Sequence, residues 1–289
     1  MIDHPGILVD CGWLAAHADD PGLVVVDATV HTTPPPPKPY GILSGRADFE
    51  RAHIPGARFV DIDAELSEPN PPSGLHFTLP SPERFAEAMA RLGVGDETLV
   101  VCYSSANHWW ATRLWWMLGV FGHDRAAVLD GGLQRWQAEA RPLQSGPAAT
   151  PLRAKFTARY RSELVADKQA VLAAVRAGDA CIVNALPAEN HRGEGGTDYG
   201  RPGHIAGSIN VPAVTLVDAD NRYKPEDELR RLLAESLAAP RLITYCGGGI
   251  SATSATFALA LLGRRDVRLY DGSLSEWAPD ATLPMAVGP

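Results

Sequence analysis

Short runs of aliphatic residues alternate along this chain with longer segments of helical spacing. Leu23 to Asp27, Leu99 to Tyr103 and Leu242 to Tyr245 are continuous apolar runs of the kind that form strands buried on both faces. Ser81 followed by Pro82 predicts the start of a helix, because serine caps free N–H groups and proline is tolerated in the first turn.

The second half of the chain shows the same alternation. Apolar residues recur at helical spacing in Leu172 to Val175, Asp227 to Leu237 and Ser251 to Leu262, and Val267 to Tyr270 predicts another strand. Strands separated by helix-length segments indicate a mainly parallel sheet with helices on both faces. The expected fold class is therefore α/β.

Two motifs occur twice in the same order. His53 to Ala57 (HIPGA) recurs as His204 to Ser208 (HIAGS), and Asp130 to Leu133 (DGGL) recurs as Asp271 to Leu274 (DGSL). Each copy lies about half a chain length further on, so the period is far too long for a solenoid. One domain is therefore expected twice.

The boundaries of these two domains follow from a segment without periodicity. Prolines at 142, 147 and 151 interrupt the chain there, as is typical of a linker. We predict an N-terminal domain over residues 1–142, a linker over 143–160 and a C-terminal domain over 161–289.

Composition and charge exclude several classes of function. Of the 289 residues, 45% are hydrophobic and 21% charged, as in globular proteins, and the net charge of -8 argues against a nucleic-acid partner. No run approaches the roughly eighteen apolar residues of a membrane helix. Residues 1–12 lack the basic region of a secretion signal. The four cysteines are widely spaced, so free thiols in a reducing cytoplasm are expected.

One of these cysteines ends a predicted strand and precedes three glycines. Glycines permit a turn whose N–H groups point inward, and a helix is predicted directly after it. Both features favour a thiolate over a thiol, which makes Cys246 the predicted catalytic nucleophile. The alternative is a buried structural cysteine, which has no need of three glycines. An anion would be held by a cradle formed by Gly247, Gly248, Gly249, Ile250 and Ser251.

The other cysteines and the matching loop of the first half are expected to be structural. Cys11, Cys102 and Cys181 lie at apolar positions. When the halves are aligned, Ser104 lies opposite the predicted nucleophile, so the first domain is predicted to be catalytically inactive. His108 follows nearby, but the Gly-x-Ser-x-Gly context of a serine hydrolase is absent.

These motifs together resemble the rhodanese-like sulfurtransferases, in the tandem form of thiosulfate and 3-mercaptopyruvate sulfurtransferases. The similarity rests on the stretch from Gly203 to Pro212, the Cys246 loop, the ending Asp271 to Trp277 and the first-half motifs. The resemblance implies a ping-pong reaction through a cysteine persulfide. It implies small-molecule partners, namely a sulfur donor and a cyanide or thiol acceptor, and neither a cofactor nor a metal.

The resemblance leaves the donor open. Thiosulfate enzymes of this family usually carry Arg and Lys inside the loop, where this chain has glycines. Loops of the mercaptopyruvate type resemble Cys-Gly-x-Gly, but Gly248 stands where that subgroup commonly has a serine. The family's substrate-holding groups suggest Arg192, Arg201 and His53. However, the leading family arginine falls at Asn190, and the usual Asp-x-Arg after the strand reads Asn-Ala-Leu from Asn184.

Two other functions are alternatives for the Cys246 loop. A phosphatase of the Cys-x5-Arg type would need an arginine six residues after Cys246, where the chain has Ala252. A non-catalytic sulfur-binding or partner module is favoured by the altered residues Asn184, Leu186 and Asn190. Retention of the cysteine favours the enzyme.

Overall fold

The computed structural model describes residues 6–33, 41–71, 74–195 and 199–289. The first five residues, on which the expectation about a secretion signal partly depends, lie outside this part. None of the described helices is long and apolar enough to cross a membrane. The chain forms two compact units, of which the first comprises Met1–Pro69, Leu79–Tyr160 and Ala219–Arg222, and the second Asn70–Thr78, Arg161–Asp218 and Tyr223–Pro289.

The first unit alternates strands with helices. Its elements are β1 (Leu8–Val9), α1 (Cys11–His17), β2 (Leu23–Asp27), β3 (Val30–Thr32), β4 (Ile42–Ser44), α2 (Arg46–Arg51), β5 (Arg58–Phe59), α3 (Pro82–Arg91), β6 (Leu99–Tyr103), α4 (His108–Val120), β7 (Ala126–Leu129) and α5 (Gly132–Ala138).

The second unit repeats this alternation. Its elements are β8 (Val165–Ala166), α6 (Lys168–Ala177), β9 (Cys181–Asn184), α7 (Ala188–Arg192), β10 (His204–Ile205), β11 (Ile209–Asn210), α8 (Glu226–Leu232), α9 (Ala234–Ala238), β12 (Leu242–Tyr245), α10 (Ala252–Leu261), β13 (Val267–Tyr270), α11 (Ser273–Trp277) and β14 (Met285–Ala286). Short 3-10 turns lie at Ser162–Leu164 and Ala213–Thr215.

Each unit contains one five-stranded sheet whose pairs are all parallel. The strand order is β1-β7-β6-β2-β5 in the first and β8-β13-β12-β9-β11 in the second, so corresponding strands hold the same places. Two small antiparallel pairs, β3 with β4 and β10 with β14, lie apart from these sheets. The α/β class and the duplication are confirmed.

The local predictions agree with the structure except in one helix. The hydroxyl of Ser81 accepts a hydrogen bond from the backbone N–H of Arg84 at 3.2 Å and so caps α3 as expected. The segment expected to be helical from Asp227 to Leu237 forms two helices, because Leu233 leaves helical geometry at φ -106° and ψ 15°. The side chain of Leu233 is completely buried, so the bend keeps an apolar residue in the core.

Candidate active site

Cys246 lies directly after β12, the central strand of the second sheet. The carboxyl ends of parallel strands are the usual place for ligands in such sheets. The cysteine is 2% exposed, whereas Gly248 and Ser251 are partly exposed and provide the open side of the loop. Helix α10 begins at Ala252, so the positive end of a ten-residue helix follows the loop.

Most N–H groups of the cradle are available to a ligand. Within the described chain, the backbone N–H groups of Gly247, Gly248, Ile250 and Ser251 donate to no acceptor. The N–H of Gly249 instead donates to the hydroxyl of Ser273 at 3.1 Å. Gly249 has a φ of 75°, a conformation that favours glycine, and it thereby turns the loop. The loop can therefore hold an anion without a charged side chain.

The hydroxyl of Ser273 bonds two N–H groups of this loop. It accepts from the N–H groups of Cys246 and Gly249, both at 3.1 Å, and donates to the carbonyl of Tyr270 at 2.8 Å. Ser273 has a φ of 49°, in the left-handed region that costs a non-glycine residue about 1 kcal/mol. The corresponding residue of the first unit is Gly132, with a φ of 55°. The serine therefore keeps a strained backbone conformation, and its side-chain hydroxyl fixes the loop.

Two further side chains contact the backbone of Gly247. Ser275 donates to its carbonyl from both the backbone N–H at 2.8 Å and the hydroxyl at 2.7 Å. Tyr199 lies so close that a Cβ added to Gly247 would be 2.0 Å from the phenol oxygen. Tyr199, Ser273 and Ser275 are not among the site residues predicted from the sequence. The substitution of serine for glycine between the repeats DGGL and DGSL was the one available signal.

The residue before the cysteine anchors β12 to the repeated HIAGS turn. The hydroxyl of Tyr245 accepts from the N–H of Ile205 at 3.0 Å and bonds the hydroxyl of Ser208 at 2.8 Å. Nearby, the rings of His191 and His204 stack at 3.6 Å, and burial lowers the pKa of His191 to about 4. His204 donates from Nδ1 to the carbonyl of His191 at 2.7 Å. This turn is held by buried hydrogen bonds and by the two stacked rings.

The other three thiols are disfavoured as nucleophiles. Burial raises the pKa of Cys11 to about 11 and also raises the pKa of Cys102 and of Cys181. Cys102 is completely buried inside β6. Because the thiolate is the reactive form, these environments suit structural cysteines.

The arginines proposed from sequence have different surroundings. Arg201 donates four hydrogen bonds, at 2.7 to 3.1 Å, to the carbonyls of Ala278, Asp280 and Leu283. Its guanidinium therefore fixes the turn before the C-terminal strand. Arg192 ends α7 and pairs with Glu194 at 2.8 Å, with 38% of its side chain exposed. Such an exposed pair is weak, so Arg192 can exchange it for another anion.

His53 belongs to the first unit and is completely buried. Its Nδ1 donates to the carbonyl of Phe49 at 2.7 Å, and the two rings stack at 3.9 Å. Its Nε2 has no hydrogen-bond partner among the residues that the structure describes.

Ser104 occupies the position in the first unit that Cys246 occupies in the second. The N–H of Leu133 donates to its carbonyl at 3.2 Å, just as the N–H of Leu274 donates to that of Cys246 at 3.1 Å. The Ser104 hydroxyl accepts from the N–H of Ala106 at 3.0 Å, so it serves the turn of its own loop.

Replacing Ser273 with glycine is expected to slow alkylation of Cys246 by iodoacetamide roughly tenfold at neutral pH. Glycine adopts the backbone conformation more easily than serine, so the fold should persist while the loop loses its two bonds to the hydroxyl. The rate is measured by intact mass against time.

Ser273→Ala is the matched variant, because it also lacks the hydroxyl but keeps the backbone strain. Both variants should react slowly, whereas the melting temperature of Ser273→Ala should be lower than that of Ser273→Gly. If either one reacts at the wild-type rate, the Ser273 hydroxyl does not organise the loop.

Known proteins share this architecture over nearly the whole chain. The family model described as the rhodanese-like domain matches residues 10–139 and 170–280. The 3-mercaptopyruvate sulfurtransferase of Escherichia coli K12 is 37% identical over 284 residues, covering 96% of each chain. The thiosulfate sulfurtransferase of Gallus gallus is 32% identical, covering 93% of this chain and 92% of the relative.

A solved structure agrees with these relatives. The crystal structure of SseA from Escherichia coli, described as a 3-mercaptopyruvate sulfotransferase with the rhodanese fold, superposes with a TM-score of 0.82. It is 35% identical to this chain and covers 93% of it and 98% of its own length.

Proposed function

This chain belongs to the rhodanese-like sulfurtransferase family, and we infer that it transfers a sulfane sulfur through a persulfide on Cys246. The observation that carries this proposal is the cradle, in which four N–H groups without an acceptor in the described chain lie between Cys246 and the start of a helix. The raised pKa values of Cys11, Cys102 and Cys181 support the same choice of thiol.

The proposed reaction has two steps. The Cys246 thiolate attacks the transferable sulfur of the donor, which is the outer sulfur of thiosulfate or the thiol sulfur of 3-mercaptopyruvate. The remainder of the donor leaves with the electron pair of the broken S–S or C–S bond. The four N–H groups then stabilise the persulfide anion. In the second step cyanide or a thiol attacks the outer sulfur, and the Cys246 thiolate is restored.

We propose 3-mercaptopyruvate as the preferred donor, with thiosulfate as the alternative. The preference is supported by the glycines of the loop, which offer no charged side chain to a dianion. Arg192 is the stronger proposal for binding the donor's carboxylate, because Arg201 is already bonded to three backbone carbonyls. His53 remains a proposal on the strength of its unpartnered Nε2.

The four free thiols of the chain favour a reducing compartment such as the cytoplasm as the place of this reaction. The partners in this proposal are small molecules, namely the donor and a thiol or cyanide acceptor.

The proposal is tested by the intact mass of the wild-type protein after incubation with each donor. We expect the mass of one added sulfur atom with at least one donor, and its removal by cyanide. If neither donor adds sulfur, the non-catalytic sulfur-binding or partner module becomes the better interpretation.

A further inference from the structure

The phenol of Tyr199 packs directly on the residue that follows Cys246. A Cβ at Gly247 would lie 2.0 Å from the Tyr199 hydroxyl oxygen, 2.3 Å from Cζ and 2.7 Å from Cε1. These are distances that real atoms do not adopt, so Gly247 is required by this contact. The tyrosine thereby brings a hydroxyl group to a loop whose next three residues have no side chain.

The two serines of α11 that contact the loop already use their protons. The Ser273 hydroxyl donates to the carbonyl of Tyr270 at 2.8 Å, and the Ser275 hydroxyl donates to the carbonyl of Gly247 at 2.7 Å. Within the cradle itself, the hydroxyl group belongs to Ser251 at the start of α10. A phenol is a much stronger acid than an aliphatic alcohol, so Tyr199 is a better proton donor than Ser251.

The two donors differ in their need for such a proton. When the Cys246 thiolate attacks the sulfur of thiosulfate, the S–S bond breaks and sulfite leaves as a stable anion. When it attacks the sulfur of 3-mercaptopyruvate, the C–S bond breaks and its electron pair remains on the product as an enolate. That enolate must gain a proton on carbon to become pyruvate.

We propose that Tyr199 donates this proton and thereby makes the loop competent for a mercaptopyruvate-type donor. The donor's S–H proton stays on the outer persulfide sulfur as the enolate takes the phenol proton. The persulfide then ionises, and the tyrosinate regains a proton through solvent, so protons and electrons balance without another reactant. This assignment rests on the sulfurtransferase function proposed above.

The test is Tyr199→Phe, which keeps the ring against Gly247 and removes only the hydroxyl. With 3-mercaptopyruvate as donor we expect kcat to fall about a hundredfold, whereas with thiosulfate it should stay within about twofold of the wild type. Small buffer acids should partly restore the mercaptopyruvate rate. Tyr160→Phe, at an exposed tyrosine outside the loop, is the matched control and should leave both donor rates unchanged. Ser251→Ala tests the competing hydroxyl.

Each other outcome contradicts the assignment. Equal losses with both donors would make Tyr199 a packing residue, and no loss would remove it from the reaction. A selective loss in Ser251→Ala instead would transfer the role to that serine. A wild type that uses thiosulfate alone overturns the Tyr199 proposal and leaves sulfur transfer intact, whereas a wild type inactive with both donors contradicts both proposals.

Discussion

Cys246→Ser is expected to lower the rate of sulfur transfer at least roughly ten-thousandfold with either donor. The serine hydroxyl is un-ionised at neutral pH and does not form a persulfide, although it fits the same buried site at the end of β12. Initial rates of thiocyanate formation with cyanide as acceptor measure the loss. An unchanged melting temperature would show that the fold persists.

Ser104→Ala provides the matched control in the other half of the chain. It removes the hydroxyl that accepts from the N–H of Ala106. The rate of sulfur transfer should stay within about twofold of the wild type, because Ser104 takes no part in the proposed reaction. Loss of transfer in a folded Ser104→Ala protein would show that the halves have been assigned the wrong roles.

Asp27→Asn is expected to stabilise the protein by up to about 3 kcal/mol at pH 8. Asp27 ends β2 and is completely buried, and burial raises the pKa of its carboxyl to about 6. Its Oδ1 accepts from the N–H of Thr29 at 2.8 Å and from the Thr29 hydroxyl. These bonds and the nearby Tyr103 phenol lower the pKa only partly against the effect of burial. The ionised carboxylate is therefore a cost to the fold.

The sign of the pH dependence follows from the raised pKa. The folded state holds the Asp27 proton more tightly than the unfolded state, so this residue's contribution is complete below about pH 4 and is lost as pH rises through about 6. An asparagine does not ionise. The difference in free energy of unfolding between variant and wild type should therefore be small near pH 4 and grow towards pH 8. Urea denaturation across this range measures it.

The second unit shows that an amide fits this position. Asn184 lies at the corresponding end of β9, and its Oδ1 accepts from the N–H of Leu186 at 3.0 Å, as Asp27 accepts from Thr29. The same change at the exposed Asp19 is the control and should not alter the pH dependence. A gain for Asp27→Asn that does not depend on pH would contradict the ionisation argument.

The strands and the reactive loop could be predicted because their signals are local. Continuous apolar runs gave the bounds of β2, β6, β12 and β13, and three glycines after a strand gave the Cys246 loop. The groups that fix this loop could not be predicted in the same way. Ser273 and Tyr199 lie far from Cys246 in sequence, and neither belongs to a periodic pattern.

The arginines show the opposite case. Their residue type and position suggested a substrate-binding role, which the hydrogen bonds of Arg201 do not support. Arg201 precedes the repeated HIAGS turn, as a substrate-binding arginine would, yet its bonds run to carbonyls around Asp280. Nothing in the local sequence distinguishes an arginine that binds a ligand from one that binds a turn nearly eighty residues later.

The contact between Gly132 and Ser104 has a consequence for the first domain. A Cβ at Gly132 would lie 2.4 Å from the Ser104 carbonyl oxygen, so the first domain has no room for the serine that fixes the loop in its sister domain. Placing a cysteine at 104 would therefore not create a fixed cradle, because the Ser273 hydroxyl that bonds Cys246 has no counterpart in the first domain. Positions 104 and 132 are therefore coupled, and a change at one of them alone leaves the first loop without the bonds that fix the second.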